Sequence, residues 1–414
     1  MSERPPGPLI ITGAAGYIGQ AVVEAALHAG HAVVLLARRP AADRPGVRQL
    51  PWRLGEPIPA AALDPASPAV DHALIHLAHD WSASGPGEDA NLTGSRTLRD
   101  SGRALGLGRQ VFVSSLSARP DALNRYGRAK WAIEQVFDAP DEVSLRVGLV
   151  YGGPRTAMYG LLCRIVGLTS VLPMIRPRQA VQPIHRREVA EGVLRAVTAE
   201  VSGPVGLAGA DAIRFADFLD MLARRTRGGR VLTVPLPLAP VLLMCRIVNA
   251  VPVGPKVDEE RVLGLAGTRF VETRADLARL GLVVRPFADG MADEPVARRR
   301  LLAEGQAVLG FVLRARPGGA LVRRYARAVR CDGPEGALPL APLFLCWPAL
   351  FRWIEPLRGP SALRRRLDVA LALAEASPEG ERALSRSSRI GLFGDLVLDA
   401  LAMPVRLAAG AFAR

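Results

Sequence analysis

The chain has 414 residues, 49% of them apolar, and its 53 lysine and arginine residues give a formal net charge of +14. The length favours two folding units, and the apolar fraction suffices for a sizeable core. The positive charge is almost entirely arginine and is not interleaved with aromatic residues, which argues against nucleic-acid binding.

The cysteine pattern and the first residues narrow the class further. Four cysteines lie far apart with no C-x-x-C spacing, so neither a zinc site nor another metal site nor a disulfide framework is indicated. The first ten residues contain no apolar leader segment before the first predicted strand. We therefore expect a cytoplasmic enzyme that acts on a small-molecule substrate.

A glycine-rich turn at residues 9–19, LIITGAAGYIG, is the strongest local feature of the chain. An apolar run predicts a buried strand, glycines recur at Gly13, Gly16 and Gly19, and helical periodicity begins near Tyr17 and Ile18. Glycine permits a tight turn and close approach of the backbone to a pyrophosphate, while the helix N-terminus offers N–H groups to phosphate oxygens. This context predicts a dinucleotide site that includes Gly13, Gly16, Tyr17 and Ile18, the alternative being a turn that only connects two elements.

The end of the second predicted strand, 31–37, indicates which nicotinamide cofactor is preferred. Sites that select NAD usually carry an acidic residue here, which accepts hydrogen bonds from the ribose hydroxyls. This chain has Ala37 followed by Arg38 and Arg39. A guanidinium in place of a carboxylate suits a 2′-phosphate, so NADP(H) is favoured over NAD(H), which stays possible. Two solvated arginines in a loop are the alternative.

Two further strands are predicted to end at the same edge as the glycine turn. Residues 71–78 form a buried strand that ends at Leu77 and Ala78, where the adenosine half of a cofactor could lie. Residues 91–107 have helical spacing, and a strand at 110–115 then delivers Ser115 to its carboxyl end. Ligands of open α/β sheets bind at that edge. The pattern predicts a doubly wound parallel sheet of the Rossmann type with Gly13, Leu77 and Ser115 at its ligand edge.

Tyr126 and Lys130 form a candidate acid/base pair. They stand four residues apart at the head of a predicted helix and therefore share one face. An ammonium there would lower the pKa of the phenol, which is about 10 when unperturbed. A serine of the neighbouring strand could hold the substrate oxygen. An exposed pair on a helix surface is the alternative, but this pair uses one of only two lysines in the chain.

Six segments follow one another along the chain in a characteristic order: TGAAGYIG, IHLA, NLTGSRTL, VFVSS, YGRAK and LRVGLVYGGP. With these segments in this order, the sequence resembles the extended and atypical branches of the short-chain dehydrogenase/reductase superfamily. The resemblance covers about residues 8–290. These branches include nucleotide-sugar epimerases and dehydratases, hydroxysteroid reductases and the NADPH-binding accessory subunit of respiratory complex I. The resemblance implies Ser115, Tyr126 and Lys130 as the catalytic set, with Lys130 also holding the nicotinamide ribose. Asn91 matches a common asparagine of the central helix.

Two segments depart from the family pattern. Where relatives often carry a Gly-Asp-Leu segment that meets the adenine, this chain has Pro51-Trp52-Arg53-Leu54-Gly55. Where relatives often read Val-Asp-Asp-Val, it has His185-Arg186-Arg187-Glu188. We therefore expect altered adenine recognition and a more basic pocket.

The remaining residues are predicted to form a substrate lobe, mostly within 151–290, and a C-terminal helical appendix at 291–414. Residues 231–251 are strongly apolar but interrupted by prolines and an arginine, so they are not expected to span a bilayer. They could cover the substrate cleft or contact a membrane surface. The appendix is basic and in part amphipathic, notably at 390–412, and could contact a membrane, a partner or the enzyme itself.

Three kinds of function stay open at this point. The first is an NAD(P)-dependent oxidoreductase or epimerase acting on a nucleotide sugar or a hydrophobic carbonyl compound. The second is a non-catalytic NADPH-binding assembly subunit. The third is a membrane-surface protein that uses the nucleotide-binding fold as a scaffold. The oligomeric state is not indicated.

Overall fold

The computed structural model describes residues 7–40, 45–81, 90–175, 179–227, 230–250, 259–292, 298–331, 338, 348–354 and 361–385. The predicted amphipathic segment at 390–412 lies outside these residues. The chain divides into two compact units. The first contains Met1–Ile165, Val171–Leu219 and Leu232–Gly290, and the second contains Val166–Ser170, Asp220–Val231 and Met291–Arg414.

The strands in chain order are β1 (Leu9–Thr12), β2 (Val33–Ala37), β3 (Val47–Pro51), β4 (Ala73–His76), β5 (Arg109–Ser115), β6 (Glu142–Val147), β7 (Leu149–Tyr151), β8 (Val171–Met174), β9 (Ala180–Val181), β10 (Pro183–His185), β11 (Gly203–Leu207), β12 (Ile213–Arg214) and β13 (Leu232–Pro235).

The helices in chain order are α1 (Tyr17–His28), α2 (Ala90–Ala104), α3 (Arg125–Glu134), α4 (Ala157–Leu168), α5 (Arg186–Thr198), α6 (Phe215–Arg227), α7 (Leu238–Ala250), α8 (Glu259–Ala266), α9 (Arg274–Arg279), α10 (Phe287–Ala292), α11 (Arg298–Leu313), α12 (Gly319–Cys331), α13 (Phe351–Ile354), α14 (Ala362–Glu375) and α15 (Pro378–Ser385).

The first unit is built on a seven-stranded sheet in the order β11-β6-β5-β4-β1-β2-β3. All of its strand pairs are parallel. The order reverses between β1 and β4, which is the point where an open α/β sheet leaves a crevice at the carboxyl ends of its strands. The predicted doubly wound, Rossmann-type α/β fold is confirmed.

Alternating side chains of β1 enter two different cores. Leu9 and Ile11 belong to a cluster on the face covered by α1 and α5, and Ile10 belongs to a cluster on the opposite face with Leu98 of α2. This is the period-two pattern of a strand buried on both faces. Trp52 is part of the second cluster, is only 4% exposed, and donates its indole N–H to the Glu56 carbonyl at 2.9 Å.

The helix predicted at 91–107 ends earlier than its periodicity suggested. In the structure α2 ends at Ala104 because Gly106 adopts a φ of +75°. The N–H of Leu107 then donates to the carbonyl of Gly102 at 3.1 Å. This is the hydrogen bond of a glycine-terminated helix, which glycine makes without steric cost.

The apolar stretch 231–251 is divided between β13 and α7. Strand β13 pairs in parallel with β8, and α7 begins after Pro237. Within the part of the chain that the structure describes, no helix is long and apolar enough to cross a membrane.

The second unit is helical where it is described. Helices α11, α12 and α14 share a core that includes Leu309, Tyr325, Phe351 and Ala370. One carboxylate lies inside this core: Glu304 accepts hydrogen bonds from the Tyr325 hydroxyl at 2.8 Å and from the Leu338 N–H at 2.6 Å. These bonds satisfy a polar group that would be costly to bury alone.

Candidate active site

The glycine turn after β1 packs directly on the chain segment that follows β4. Gly13 has a φ of +70°, and a Cβ there would stand 2.7 Å from the Ala78 nitrogen and from the Leu77 carbonyl carbon. A Cβ on Gly19 would stand 2.3 Å from the Gly13 oxygen. The turn therefore requires glycine at both positions, and it holds Leu77 and Ala78 beside the start of α1.

The start of α1 provides donors for an anion. Gly16 is the N-cap residue, has an extended backbone, and has no side chain that could satisfy the first N–H groups of the helix. No acidic residue lies in the first turn. The Tyr17 hydroxyl donates to the Gly152 carbonyl at 2.5 Å, and Ile18 packs against the core. The backbone N–H groups of this turn are therefore donors that an anion could use, while the side chains of Tyr17 and Ile18 contact the protein.

A buried network of hydrogen bonds, which the sequence did not indicate, holds the backbone of Leu77 and Ala78 beside the glycine turn. The Thr12 hydroxyl accepts the N–H groups of Leu77 and Ala78, both at 3.2 Å, and lies 2.8 Å from His76 Nδ1. Because both of its lone pairs are used, its proton is donated to Nδ1. His76 Nε2 then donates to the Ser95 hydroxyl at 2.9 Å. Every polar atom of the imidazole is satisfied by the neutral ring, and burial lowers the pKa of His76 to about 3.

Asn91 fixes the next residues of the same loop. Its Oδ1 accepts the N–H of Asp80 at 2.7 Å, and its Nδ2 donates to the Asp80 carbonyl at 3.1 Å. The asparagine is 3% exposed. The side chain thus has a positioning role: it holds the backbone of the loop that follows β4 and contacts Tyr126.

Strand β5 delivers its two serines to different places. Ser114 is buried and donates to Glu134 Oε1 at 2.6 Å, and this carboxylate also accepts two nitrogens of Arg146. Ser115 is half-buried at the end of the strand, 2.9 Å from the Ser117 hydroxyl. Ser114 is therefore structural, and Ser115 is the hydroxyl at the ligand edge.

Helix α3 brings Tyr126 and Lys130 to this edge. Asn124 caps the helix by accepting the Gly127 N–H at 3.2 Å. A Cβ on Gly127 would stand 2.5 Å from the Ser117 oxygen, so the first turn of α3 contacts the loop that follows Ser115. Lys130 lies further along the same helix, with Nζ 5.8 Å from the centroid of the Tyr126 ring.

The electrostatics of the pair differ from our expectation. Lys130 Nζ donates to the Val113 carbonyl at 2.8 Å and lies over the Phe112 ring. Burial lowers the pKa of Lys130 to about 7, with Glu134 acting in the opposite direction, and burial raises the pKa of Tyr126 to about 12. The predicted lowering of the Tyr126 pKa is therefore wrong: burial of the phenol raises this pKa, and the Lys130 ammonium is bonded to a backbone carbonyl of β5.

Two aromatic rings from the loop that follows β4 pack against Tyr126. Trp81 stacks on the tyrosine at 5.1 Å between centroids, and His79 meets it edge-on at 5.2 Å. His79 follows Ala78 directly, so Tyr126 lies next to the segment that packs on Gly13. The structure thus places Tyr126 and Lys130 on a helix that contacts the loop after Ser115, and places Tyr126 next to the segment that packs on the glycine turn.

Arg38 and Arg39 stand apart from this group. Both are exposed and follow the last residue of β2, the strand that pairs with β1. Trp52, in the segment after β3 that departs from the family pattern in sequence, belongs to the core.

Comparison with known proteins places this domain. Residues 9–205 match the model of the NAD dependent epimerase/dehydratase family. The matched residues make up slightly less than half of the chain. The chain is also similar to a ceramide reductase of Caulobacter vibrioides, with 30% identity over 209 residues that make up 49% of this chain and 64% of that protein. The match spans less than two thirds of that relative.

Solved structures share the fold of the larger part of this chain. A nucleoside-diphosphate-sugar epimerase from Staphylococcus aureus aligns with a TM-score of 0.52 at 13% identity, covering 69% of this chain and 99% of that chain. The terminal R domain of the myxalamid PKS-NRPS biosynthetic pathway aligns with a TM-score of 0.53 at 16% identity, covering 70% and 89%. The match to the family model confirms the resemblance to the extended short-chain dehydrogenase/reductases, and these likenesses show the shared fold.

Proposed function

We propose that this protein is an NADP(H)-dependent oxidoreductase that acts on the carbonyl or alcohol centre of a hydrophobic, lipid-like substrate. One observation carries the proposal: the helix that bears Tyr126 and Lys130 contacts the loop that follows Ser115, and Tyr126 packs against His79 of the segment beside the glycine turn. The turn, the uncapped start of α1 and the exposed Arg38 fit a phosphorylated dinucleotide. When bound, the nicotinamide would supply the hydride donor or acceptor.

The side chains divide the remaining work among them. Reduction of a carbonyl requires a proton at its oxygen, and the Tyr126 hydroxyl is the group that supplies it. With a pKa raised to about 12, this phenol is protonated throughout the neutral range and suits the acid role. Ser115 orients the substrate oxygen by a hydrogen bond, and Lys130, on the same helix, holds the ribose side of the cofactor.

Two observations favour a hydrophobic substrate. The curated relative at 30% identity is named a ceramide reductase. Helix α7 presents Leu243, Met244 and Ile247 to solvent, with exposed fractions of 58%, 40% and 58%. Leu232 of β13 adds a further exposed apolar side chain, 64% exposed. We propose that this apolar surface contacts an acyl chain or a membrane surface. Exposed apolar groups that cluster in this way commonly mark a contact with another apolar phase.

The Tyr126→Phe variant tests the chemistry. Removing the phenolic oxygen should lower kcat by about 10²–10⁴, the usual contribution of general acid/base catalysis, and leave NADPH affinity nearly unchanged. The measurement is oxidation of NADPH in the presence of long-chain lipid ketones and, separately, of nucleotide sugars. Ser114→Ala is the matched control for Ser115→Ala, because Ser114 lies one residue away but bonds Glu134 inside the protein. Full activity of Tyr126→Phe on a substrate that the wild type turns over would contradict the proposal.

Cofactor choice is tested separately at Arg38. The wild type should bind NADPH more tightly than NADH, and Arg38→Ala should remove most of that difference because the 2′-phosphate loses its charged partner. Fluorescence titration with both cofactors measures it. Equal affinities in the wild type would refute the role of Arg38.

Nucleotide-sugar epimerisation is the second candidate, and the match of residues 9–205 to the epimerase/dehydratase family model favours it. An epimerase retains its cofactor through the cycle, whereas a reductase consumes NADPH. Ultraviolet absorbance of the purified protein distinguishes the two, because retained nicotinamide would absorb without any added cofactor. Binding without turnover of either substrate class would favour an assembly subunit.

A further inference from the structure

Arg186 is a buried arginine that the proposed chemistry does not use. It is the first residue of α5 and is 8% exposed. Its Nε donates to the Tyr17 carbonyl at 2.7 Å, and its guanidinium lies 5.5 Å from the centroid of the Tyr17 ring. A Cβ on Gly153 would stand 3.1 Å from Arg186 Nη1. The side chain therefore reaches across to the first turn of α1.

The charge of this guanidinium has no carboxylate partner among the residues that the structure describes. Within the described residues no carboxylate pairs with Arg186, and its Nη2 is buried without a hydrogen-bond acceptor. The neighbouring Glu188 is already used: it accepts the His185 N–H at 3.1 Å and pairs with Arg285 at 2.8 Å. A buried cation without an anion or a full set of hydrogen bonds is costly.

The position makes that cost larger. Arg186 lies at the start of α5 and touches the start of α1, and both helix N-termini carry partial positive charge. A cation at these ends is disfavoured unless an anion joins it. The same first turn of α1 is uncapped and has no acidic residue, so its own donors also lack an anionic partner from the helix.

From these observations we infer that Arg186 is a diphosphate-binding residue: its free Nη2 donates to the pyrophosphate of the dinucleotide at the start of α1. The inference rests on the proposed function only in that a dinucleotide binds at this turn. The cofactor is favoured over a nucleotide-sugar diphosphate because Arg186 is bonded to Tyr17, the residue that opens α1. It also gives a role to Arg186, one residue of the segment that departs from the family pattern.

The experiment measures dissociation constants by titration with NADPH, NADH, ADP-ribose and UDP. Arg186→Met should weaken NADPH, NADH and ADP-ribose by a similar factor, about 10- to 100-fold, the range for a hydrogen bond to a charged group. Arg186→Lys, which keeps the charge, should restore part of the loss. Arg187→Met is the matched control. Arg187 is the next residue along the chain and is exposed, so this variant removes the same charge from the surface and should leave all four constants unchanged.

The outcomes separate this inference from the proposed function. A loss confined to NADPH would assign Arg186 to the 2′-phosphate, and a loss confined to UDP would assign it to a substrate diphosphate; either overturns the inference. Unchanged constants in a folded Arg186→Met protein, checked by its melting temperature, would also overturn it. If the wild type bound none of the dinucleotide probes, the proposed function would fall as well. Retained activity of Tyr126→Phe alongside the expected Arg186 losses would reject only the chemistry.

Discussion

At the scale of single residues, the site depends on buried polar groups that are satisfied in one protonation state. Thr12, His76 and Ser95 form a chain of hydrogen bonds in which only the neutral imidazole fits. Protonation would place a second N–H against the Thr12 hydroxyl, which already accepts two backbone N–H groups. The nearby Lys130 and His79 also oppose a second positive charge. The loop that packs on the glycine turn is therefore held in place by an imidazole that must stay uncharged.

This arrangement predicts an acid-sensitive contribution to stability. The pKa of His76 is about 3 in the folded state against 6.5 ordinarily, so between these values the unfolded chain takes up a proton and the folded chain does not. The stabilisation is fully present above about pH 6.5 and is lost as the pH falls towards the folded value. Compared with His76→Gln, the wild type should lose about 2 kcal/mol of unfolding free energy between about pH 7 and about pH 5. Denaturant titrations at the two pH values measure this, and parallel behaviour of the two proteins would contradict it.

At the scale of elements, close backbone approach decides where α1 sits on the sheet. Gly19 lies on the face of α1 that touches the glycine turn, and its absent Cβ leaves room for the Gly13 oxygen and for Ala14 Cα. The helix can therefore begin directly above the carboxyl end of β1. The direction in which its N–H groups point depends on this contact.

The Gly19→Ala variant should disturb that contact. The added methyl would meet backbone atoms at 2.3 and 2.8 Å, so α1 must move. We expect a loss of about 1–3 kcal/mol in stability, the usual cost of overpacking, and weaker NADPH binding by on the order of tenfold or more. Gly167→Ala in α4 is the control, because its Cβ would meet the Thr226 methyl at an ordinary 3.7 Å. It should stabilise by about 0.5–1 kcal/mol through helix propensity alone. Thermal melts and NADPH titrations compare the two, and equal effects would argue against the packing explanation.

At the scale of the whole molecule, a net charge of +14 accompanies an exposed apolar surface. Arginines provide most of this charge, and in the first unit Leu243 and Ile247 of α7 provide apolar side chains that water covers in the isolated chain. Positive charge attracts a protein to anionic lipid over a short distance, and inserted apolar groups then retain it.

Vesicle binding is the corresponding prediction. The full chain should sediment with anionic vesicles, and added salt should weaken this binding because it screens the charge. The Leu243→Ser, Ile247→Ser double variant should bind at least about tenfold more weakly, since each such side chain contributes about 1.5–3 kcal/mol when fully buried. Val283→Ser is the control: this valine is 86% exposed and lies outside the α7 surface. The membrane proposal fails if the double variant and the control bind equally.

Sequence by itself determined the parts of this protein that depend on local pattern. The buried strand, the three glycines and the helix period at 9–28 specify a nucleotide-binding unit, because strand alternation, positive φ and helix periodicity are all properties of neighbouring residues. The same reasoning identified Ser115 at a strand end and Tyr126 and Lys130 on one helix face. Parallel strands then bring such residues to a common edge whatever their separation along the chain.

The tertiary structure alone decided which partner each polar side chain has. Thr12 and His76 are 64 residues apart, and they meet because β1 and β4 pair in a register that places one opposite the other. Lys130 is bonded to the Val113 carbonyl, and burial of Tyr126 raises a pKa that the sequence was expected to lower. Arg186 reaches Tyr17 across 169 residues because α5 packs against α1. Such contacts depend on strand register and helix packing, which no local pattern of residues specifies.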